Sequence, residues 1–138
     1  LGLNRHIHTG RDHQNKREWR GMIGDLARRE DELLGKTLVI VGMGAIGSRL
    51  ARFAKAFDMR VLATKRDPST AQGPADEVVT PDGLGDLIPQ ADFLALTCPL
   101  TPETTNIVDA GVLDEVERYL KDPNGWSQTH GGIGASAG

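Results

Sequence analysis

Cysteine is the scarcest resource in this 138-residue chain, with one residue, Cys98, beside one tyrosine and two tryptophans. A lone cysteine cannot close an intramolecular disulfide, which excludes a cystine-stapled scaffold and fits a reducing compartment. No apolar run approaches the roughly 20 residues of a membrane span, and no basic stretch followed by an apolar one resembles a secretory signal. Charge of one sign is also missing: 16 Lys and Arg face 19 Asp and Glu, for a net charge of -3. Neither a nucleic-acid nor a membrane partner is therefore expected, and a cytoplasmic setting is. Internal repeats are absent.

What is present reads as one globular domain. The chain is 38% hydrophobic and 25% charged, with enough residues to bury a single core. It begins at Leu1 and closes on Gly131-Gly132-Ile133-Gly134-Ala135-Ser136-Ala137-Gly138, a run with few side chains for packing. Both ends suggest a piece of something longer. Three stretches are expected: an N-terminal helical segment over 1–36, a half-domain over 37–120 and an irregular glycine-rich tail over 121–138.

In the first stretch, Trp19, Met22, Ile23, Leu26 and Ala27 have helical spacing. Asp25 to Leu34 reads as a charged helix stopped by Gly35. The whole segment is expected to pack through one stripe. Thr37 to Val41 is an apolar, β-branched run without alternation, as in a strand buried on both faces of a parallel sheet. Ala45 to Phe57 places Ile46, Leu50, Phe53, Ala54 and Phe57 on one helical stripe opposite Arg49, Arg52 and Lys55. Further strands are expected at Arg60 to Thr64, Glu77 to Thr80 and Asp92 to Thr97, the last of these buried. One or two helical turns are expected at Leu84 to Ile88, and a helix over Ala110 to Leu120. Strands alternating with helices imply βαβ units: an α/β, Rossmann-type parallel sheet with flanking helices, here incomplete and limited to the first mononucleotide half.

The chemistry concentrates between the first strand and the helix after it, where Gly42, Gly44 and Gly47 form G-x-G-x-x-G. The spacing alone is a weak signal in a chain with 17 glycines; its position at a strand-to-helix turn strengthens it. Gly42 permits the tight turn, Gly44 lets backbone approach a pyrophosphate, and Gly47 lets helix and strand pack closely. The amides and positive end of the helix then hold the anion. A carboxylate about 20 residues further on would mark an NAD site. Lys65 and Arg66 stand there instead, and their charges would attract a 2′-phosphate, favouring NADP. The other reading leaves both as solvated charges and lets Asp67 reach the ribose of NAD.

Leu34-Gly35-Lys36-Thr37, the glycine motif, Ala91-Asp92-Phe93-Leu94-Ala95-Leu96 and the run from Cys98 through Pro99-Leu100-Thr101-Pro102-Glu103-Thr104-Thr105 together resemble the cofactor domain of the D-isomer-specific 2-hydroxyacid dehydrogenases. That family includes phosphoglycerate dehydrogenase and glyoxylate/hydroxypyruvate reductase, and the similarity covers residues 20 to 109. It implies an oxidoreductase that reduces a small 2-keto acid by hydride transfer. It also implies that Ala45 and Ile46 present backbone to the pyrophosphate and that Lys65 and Arg66 occupy the ribose position. Cys98 and Pro99 would line the adenosine side, Cys98 through its backbone, with Thr104 nearby.

The pattern stops after Asp109. The family's catalytic His, its orienting Glu and its substrate Arg have no counterparts, so no catalytic residue is assigned. His130 follows Pro123-Asn124 at the family's spacing but lacks the Pro before the His, and it reads as a tail residue. His6, His8 and His13 lack supporting carboxylates or thiolates and are expected to be solvated, with no metal site. The reading is thus an NAD(P)-binding portion that does not catalyse alone, or alternatively a non-catalytic dinucleotide-binding regulatory module. The unpaired edge of the first or fourth strand, or the N-terminal helix, is expected to drive homo-oligomerisation.

Overall fold

In the computed structural model, which describes residues 1–2, 4–19, 31–112 and 114, the run at Thr37–Val41 forms strand β1, and all five of its residues are buried. It lies inside a four-stranded parallel sheet with β2 (Arg60–Thr64), β3 (Glu77–Val79) and β4 (Phe93–Leu96), in the order β3-β2-β1-β4. Thr37 pairs with Arg60 and Val41 with Thr64 on one side, and Leu38 with Phe93 and Val41 with Leu96 on the other. On β2, Leu62 pairs with Glu77 and Thr64 with Val79.

A strand with neighbours on both sides and layers above and below has no solvent face, which explains its lack of alternation. Leu38 and Ile40 join Val61 and Ala63 beneath helix α2 (Ala45–Lys55), together with Ala51, Ala54 and Met59. Val39 and Val41 join Leu62 on the opposite face, against Leu84 and Leu87 of the one-turn helix α3 (Leu84–Leu87) and the adjoining Ile88. The fold is Rossmann-like, with the order reversing beside β1, where β2 leaves on one side and β4 on the other.

Four expectations change. The first strand is central, so among the described residues the sheet edges are β3 and β4. β4 is half-buried rather than buried, with Leu96 exposed, because it pairs only with β1. Residues 31–34 are not helical, although Gly35 does take the left-handed conformation, φ +73°. The Lys36 amide there donates to Leu33 O at 3.1 Å, closing a turn into β1. The N-terminal helix that is described, α1 (Ile7–Lys16), buries none of its residues; the stripe expected of this segment begins after it, at Trp19, which is exposed. Met22, Ile23, Leu26 and Ala27, the start of the expected charged helix, most of the Ala110 to Leu120 helix, the tail and His130 lie outside the described residues. Ala110, Gly111 and Val112 are helical, with Asp109 Oδ1 accepting from the Val112 amide at 3.0 Å as an N-cap.

The fourth change concerns α2. Its buried face is Gly47, Ser48, Ala51 and Ala54. Ile46 is 71% exposed and Phe53 60%, and Phe57 stands past the helix end. The helix sits too close to the sheet for the larger side chains to fit beneath it, so small residues take the core positions. Among the described residues no helix is long and apolar enough to cross a membrane.

At the N-terminal ends of the strands, two aspartates finish the ladders. Asp92 Oδ2 accepts from the Thr37 amide at 2.7 Å, and Asp76 Oδ2 from the Val61 amide at 2.7 Å. Asp76 also holds Lys55 Nζ at 2.6 Å. The Lys55 hydrogen bond, then the Val61 amide, hold its carboxyl below the usual aspartate range. Lys36 pairs with Asp31 at 2.8 Å, and Arg60 donates to Gln90 at 2.9 Å.

Candidate functional site

The opposite, C-terminal ends of the strands are built differently. After Val41 the chain turns through Gly42 at φ +103°. The amides of Gly42 and Met43 both donate to Thr64 O at the end of β2, at 3.1 and 2.9 Å. The Gly42 carbonyl accepts from Thr97 Oγ1 at 2.7 Å, at the end of β4. The turn is thereby tied to both neighbouring strands.

The three glycines answer to different causes. A Cβ on Gly42 would stand 2.7 to 2.9 Å from the N, Cα and Cβ of Cys98, closer than atoms approach. One on Gly47 would meet the Gly42 carbonyl and come within 2.9 Å of Thr97 Oγ1. Gly44 differs: a Cβ there meets nothing within 4 Å, and its φ of -93° suits any residue. Among the described residues nothing asks for glycine at 44. The space before it is open, at the start of an 11-residue helix whose first amides have no intrahelical acceptor.

That space continues into a cleft of about 360 Å³. One wall is a stripe of α2, Ala45, Ser48, Arg49 and Arg52, at the i, i+3, i+4, i+7 positions of one helix face. The other wall is the segment after β2, with Lys65, Thr70 and Gln72. Ser48 Oγ donates to Gln72 O, pinning the two walls together. Lys65 Nζ donates to Thr70 O at 2.6 Å, and Asp67 Oδ1 accepts from Ser69 N at 3.1 Å and Ser69 Oγ at 2.6 Å.

The residues singled out in the sequence divide accordingly. Gly42, Gly44, Ala45, Ile46 and Gly47 meet at the turn, and Cys98 touches it through its backbone. Lys65 lines the cleft. Arg66 and Asp67 do not. Consecutive side chains at a strand end leave on opposite sides, so only one of the Lys65–Arg66 pair faces α2. The charge of Arg66 reaches Glu103, whose carboxyl is held below its ordinary range chiefly by Thr101 and to a smaller extent by Arg66. Pro99 is exposed. Its carbonyl accepts from Thr104 Oγ1 at 2.6 Å, and Thr104 Oγ1 in turn accepts from the Thr101 amide at 2.7 Å. Thr104 therefore shapes the loop after β4. The sequence reading missed Ser48, Arg49 and Arg52, setting both arginines on the solvent side of the helix. Their spacing from Ala45 was the available signal.

A turn in which the chain demands glycine at 42 and 47 but leaves 44 open is what a dinucleotide fold requires. Residues 1–119 match the family described as D-isomer specific 2-hydroxyacid dehydrogenase, NAD binding domain. The chain belongs to this family. Among similar proteins is D-3-phosphoglycerate dehydrogenase of Synechocystis sp., 37% identical over 120 residues, which are 85% of this chain and 20% of that protein. A probable 2-hydroxyacid dehydrogenase of Rhizobium etli, solved in complex with NADP, HEPES and L(+)-tartaric acid, aligns with a TM-score of 0.69. It is 26% identical, and the alignment covers 84% of this chain and 34% of that one. NAD-dependent formate dehydrogenase of Staphylococcus aureus, solved in complex with NAD, gives 0.67 at 28% identity, over 83% and 33% of the two chains. The chain thus spans between a fifth and about a third of these three relatives.

Proposed function

We propose that this chain holds a nicotinamide dinucleotide across the C-terminal ends of β1 and β4, as the cofactor-binding portion of an oxidoreductase acting on the CH–OH group of D-2-hydroxy acids. The observation that carries the reading is Gly44, a glycine with open space before it, at a helix start whose first amides have no intrahelical acceptor and can receive a phosphate. When bound, the nicotinamide supplies the hydride exchanged with the substrate carbon.

The chain's own residues bind and orient. The amides of Ala45 and Ile46 face the pyrophosphate. Gly42 and Gly47 keep the turn and the helix close to the sheet, and Cys98 and Pro99 border the adenosine side, with Thr104 fixing their loop. Lys65 gives the ribose end a positive charge that favours NADP over NAD. A small 2-keto or 2-hydroxy acid is the partner in the complete enzyme, and self-association through the unpaired edge of β4 belongs to the same reading.

Titration of the 138-residue chain with NADPH and NADH in a melting experiment tests this. A dinucleotide at a hundred times its dissociation constant stabilises by about 2.7 kcal/mol; no shift with either one overturns the reading. No residue here is assigned the catalytic acid–base role or the substrate-carboxylate role. The chain alone is therefore expected to turn over neither glyoxylate nor hydroxypyruvate, and measurable turnover would refute that assignment.

A further inference from the structure

We propose that Arg49 and Arg52 of α2, facing Lys65 across the cleft, select a dinucleotide that carries a phosphate ester on its adenosine ribose. The inference rests on the dinucleotide reading and moves the decision from the segment after β2 to the helix.

The cleft walls contain three cations and no carboxylate, in a chain whose net charge is -3. Three cations near the sheet have ion-pair partners: Lys55 with Asp76, Lys36 with Asp31, Arg60 with Glu77. Among the described residues Arg49 and Arg52 have none. Two unpaired guanidinium groups on one helix face, opposite a lysine, repel one another until an anion enters between them.

Position narrows the anion. Arg49 lies one turn and Arg52 two turns beyond Ala45, about 6 and 10 Å along the axis. Helical side chains lean toward the helix start, which favours reach from Arg49 and Arg52 toward the Gly44 end of the cleft that Lys65 also lines. A pyrophosphate at the amides of Ala45 and Ile46 would place the attached ribose on this path. A free 2′-hydroxyl is normally recognised by a carboxylate acceptor. The nearest in sequence, Asp67, is outside the cleft and bonded to Ser69. A phosphate, by contrast, takes charge-assisted and bidentate hydrogen bonds from arginine. The walls are also fixed in advance, since Ser48 holds Gln72 and Lys65 holds Thr70.

The test is the ratio of dissociation constants for NADPH and NADH, measured by calorimetry on the native chain, Arg49→Ala/Arg52→Ala and Arg66→Ala. Adenosine 2′,5′-bisphosphate and AMP serve as smaller probes of the same end. The native chain is expected to prefer NADPH by at least about tenfold, a preference lost in the double variant while NADH binding changes less than about threefold. Arg66→Ala is expected to keep most of the preference. Circular dichroism should be unchanged, because neither α2 arginine bonds to the fold. Equal binding of the two cofactors by the native chain overturns the proposal and leaves the dinucleotide reading intact. So does a preference that survives the double variant, or one that disappears only in Arg66→Ala. Failure of the native chain to bind any of the four probes overturns both.

Discussion

The two ends of the parallel sheet are made of the same kinds of residues and arranged to opposite purposes. At the N-terminal end, carboxylates meet strand amides and cations: Asp92 caps Thr37, and Asp76 caps Val61 while holding Lys55. At the C-terminal end, the strands run out into glycine, an open helix start and, among the described residues, cations with no carboxylate opposite them. The closed end contributes to stability. The open end keeps its amides and charges unmatched, a cost in the free chain that a bound anion would remove. The contrast predicts that substitutions at the two ends separate stability from binding.

The largest effect belongs to the one residue at the open end that the fold itself needs. Gly42→Ala puts a side chain in a positive-φ conformation and against the Cys98 backbone, which has no freedom to withdraw because Thr97 is tied to the same turn. A loss of about 3 kcal/mol or more is expected from strain and overlap together, a large share of a typical domain's stability. Urea denaturation measures it. A Gly42→Ala chain as stable as the native one would break the assignment of Gly42 to the fold.

Gly44→Ala sharpens the comparison from the other side. Its Cβ meets no atom of the described residues within 4 Å, so stability should change by no more than about 0.5 kcal/mol, the small penalty of alanine at an N-cap. Dinucleotide affinity, in contrast, should fall at least about tenfold, worth about 1.4 kcal/mol, because the new methyl stands where backbone and phosphate would meet. Calorimetric titration decides it. Unchanged affinity would mean that the open space serves no ligand.

At the closed end the expected effects are smaller and lie in stability alone. Asp76→Ala leaves the Val61 amide of a buried strand without its acceptor, for a cost of about 1–3 kcal/mol. Asp76→Asn keeps an acceptor and loses the Lys55 pair, whose partial exposure limits it to about 1 kcal/mol. The pH dependence follows from the lowered carboxyl. Its contribution is complete above the unfolded-state value near about 4 and disappears as pH falls through the lower folded value. The difference between the native chain and Asp76→Asn should therefore shrink between pH 7 and pH 3 in urea melts. A difference that grows on acidification would contradict the Lys55–Asp76 assignment.

Much of this architecture was legible in the residues, and the failures share a cause. β1 was readable to the residue because an unbroken apolar run rich in β-branched residues between a polar start and a glycine turn has one good solution in a parallel sheet, and β2 because a short apolar run is bounded there by Arg60 and Lys65. The glycine turn was readable for the same reason. What the sequence could not convey was distance between layers. On α2, two stripes have helical spacing, one large and apolar (Ile46, Leu50, Phe53) and one small (Gly47, Ser48, Ala51, Ala54). Hydropathy favours the first for the core, whereas the close approach of helix to sheet that Gly47 permits leaves room only for the second. The same rotation brings Arg49 and Arg52 from an expected solvent face to the cleft wall. Arg66 failed through the other periodicity: adjacent residues at a strand end cannot both face one groove.

The smallest effect tests that rotation directly. If Ala51 sits under α2 and Phe53 stands on its outer surface, then Phe53→Ser removes a side chain that is 60% exposed, and stability should move by no more than about 0.5 kcal/mol. Ala51→Leu, two positions away, adds three carbons beneath the helix, where the native residue is fully buried, and should cost about 1–3 kcal/mol by overpacking. A helix that faced the sheet with its large stripe would reverse the pair, with Phe53→Ser the damaging change and Ala51→Leu the tolerated one. Because Arg52 lies between these positions, the same two melts fix which way its guanidinium faces, and with it whether the cations of α2 belong to the cleft at all.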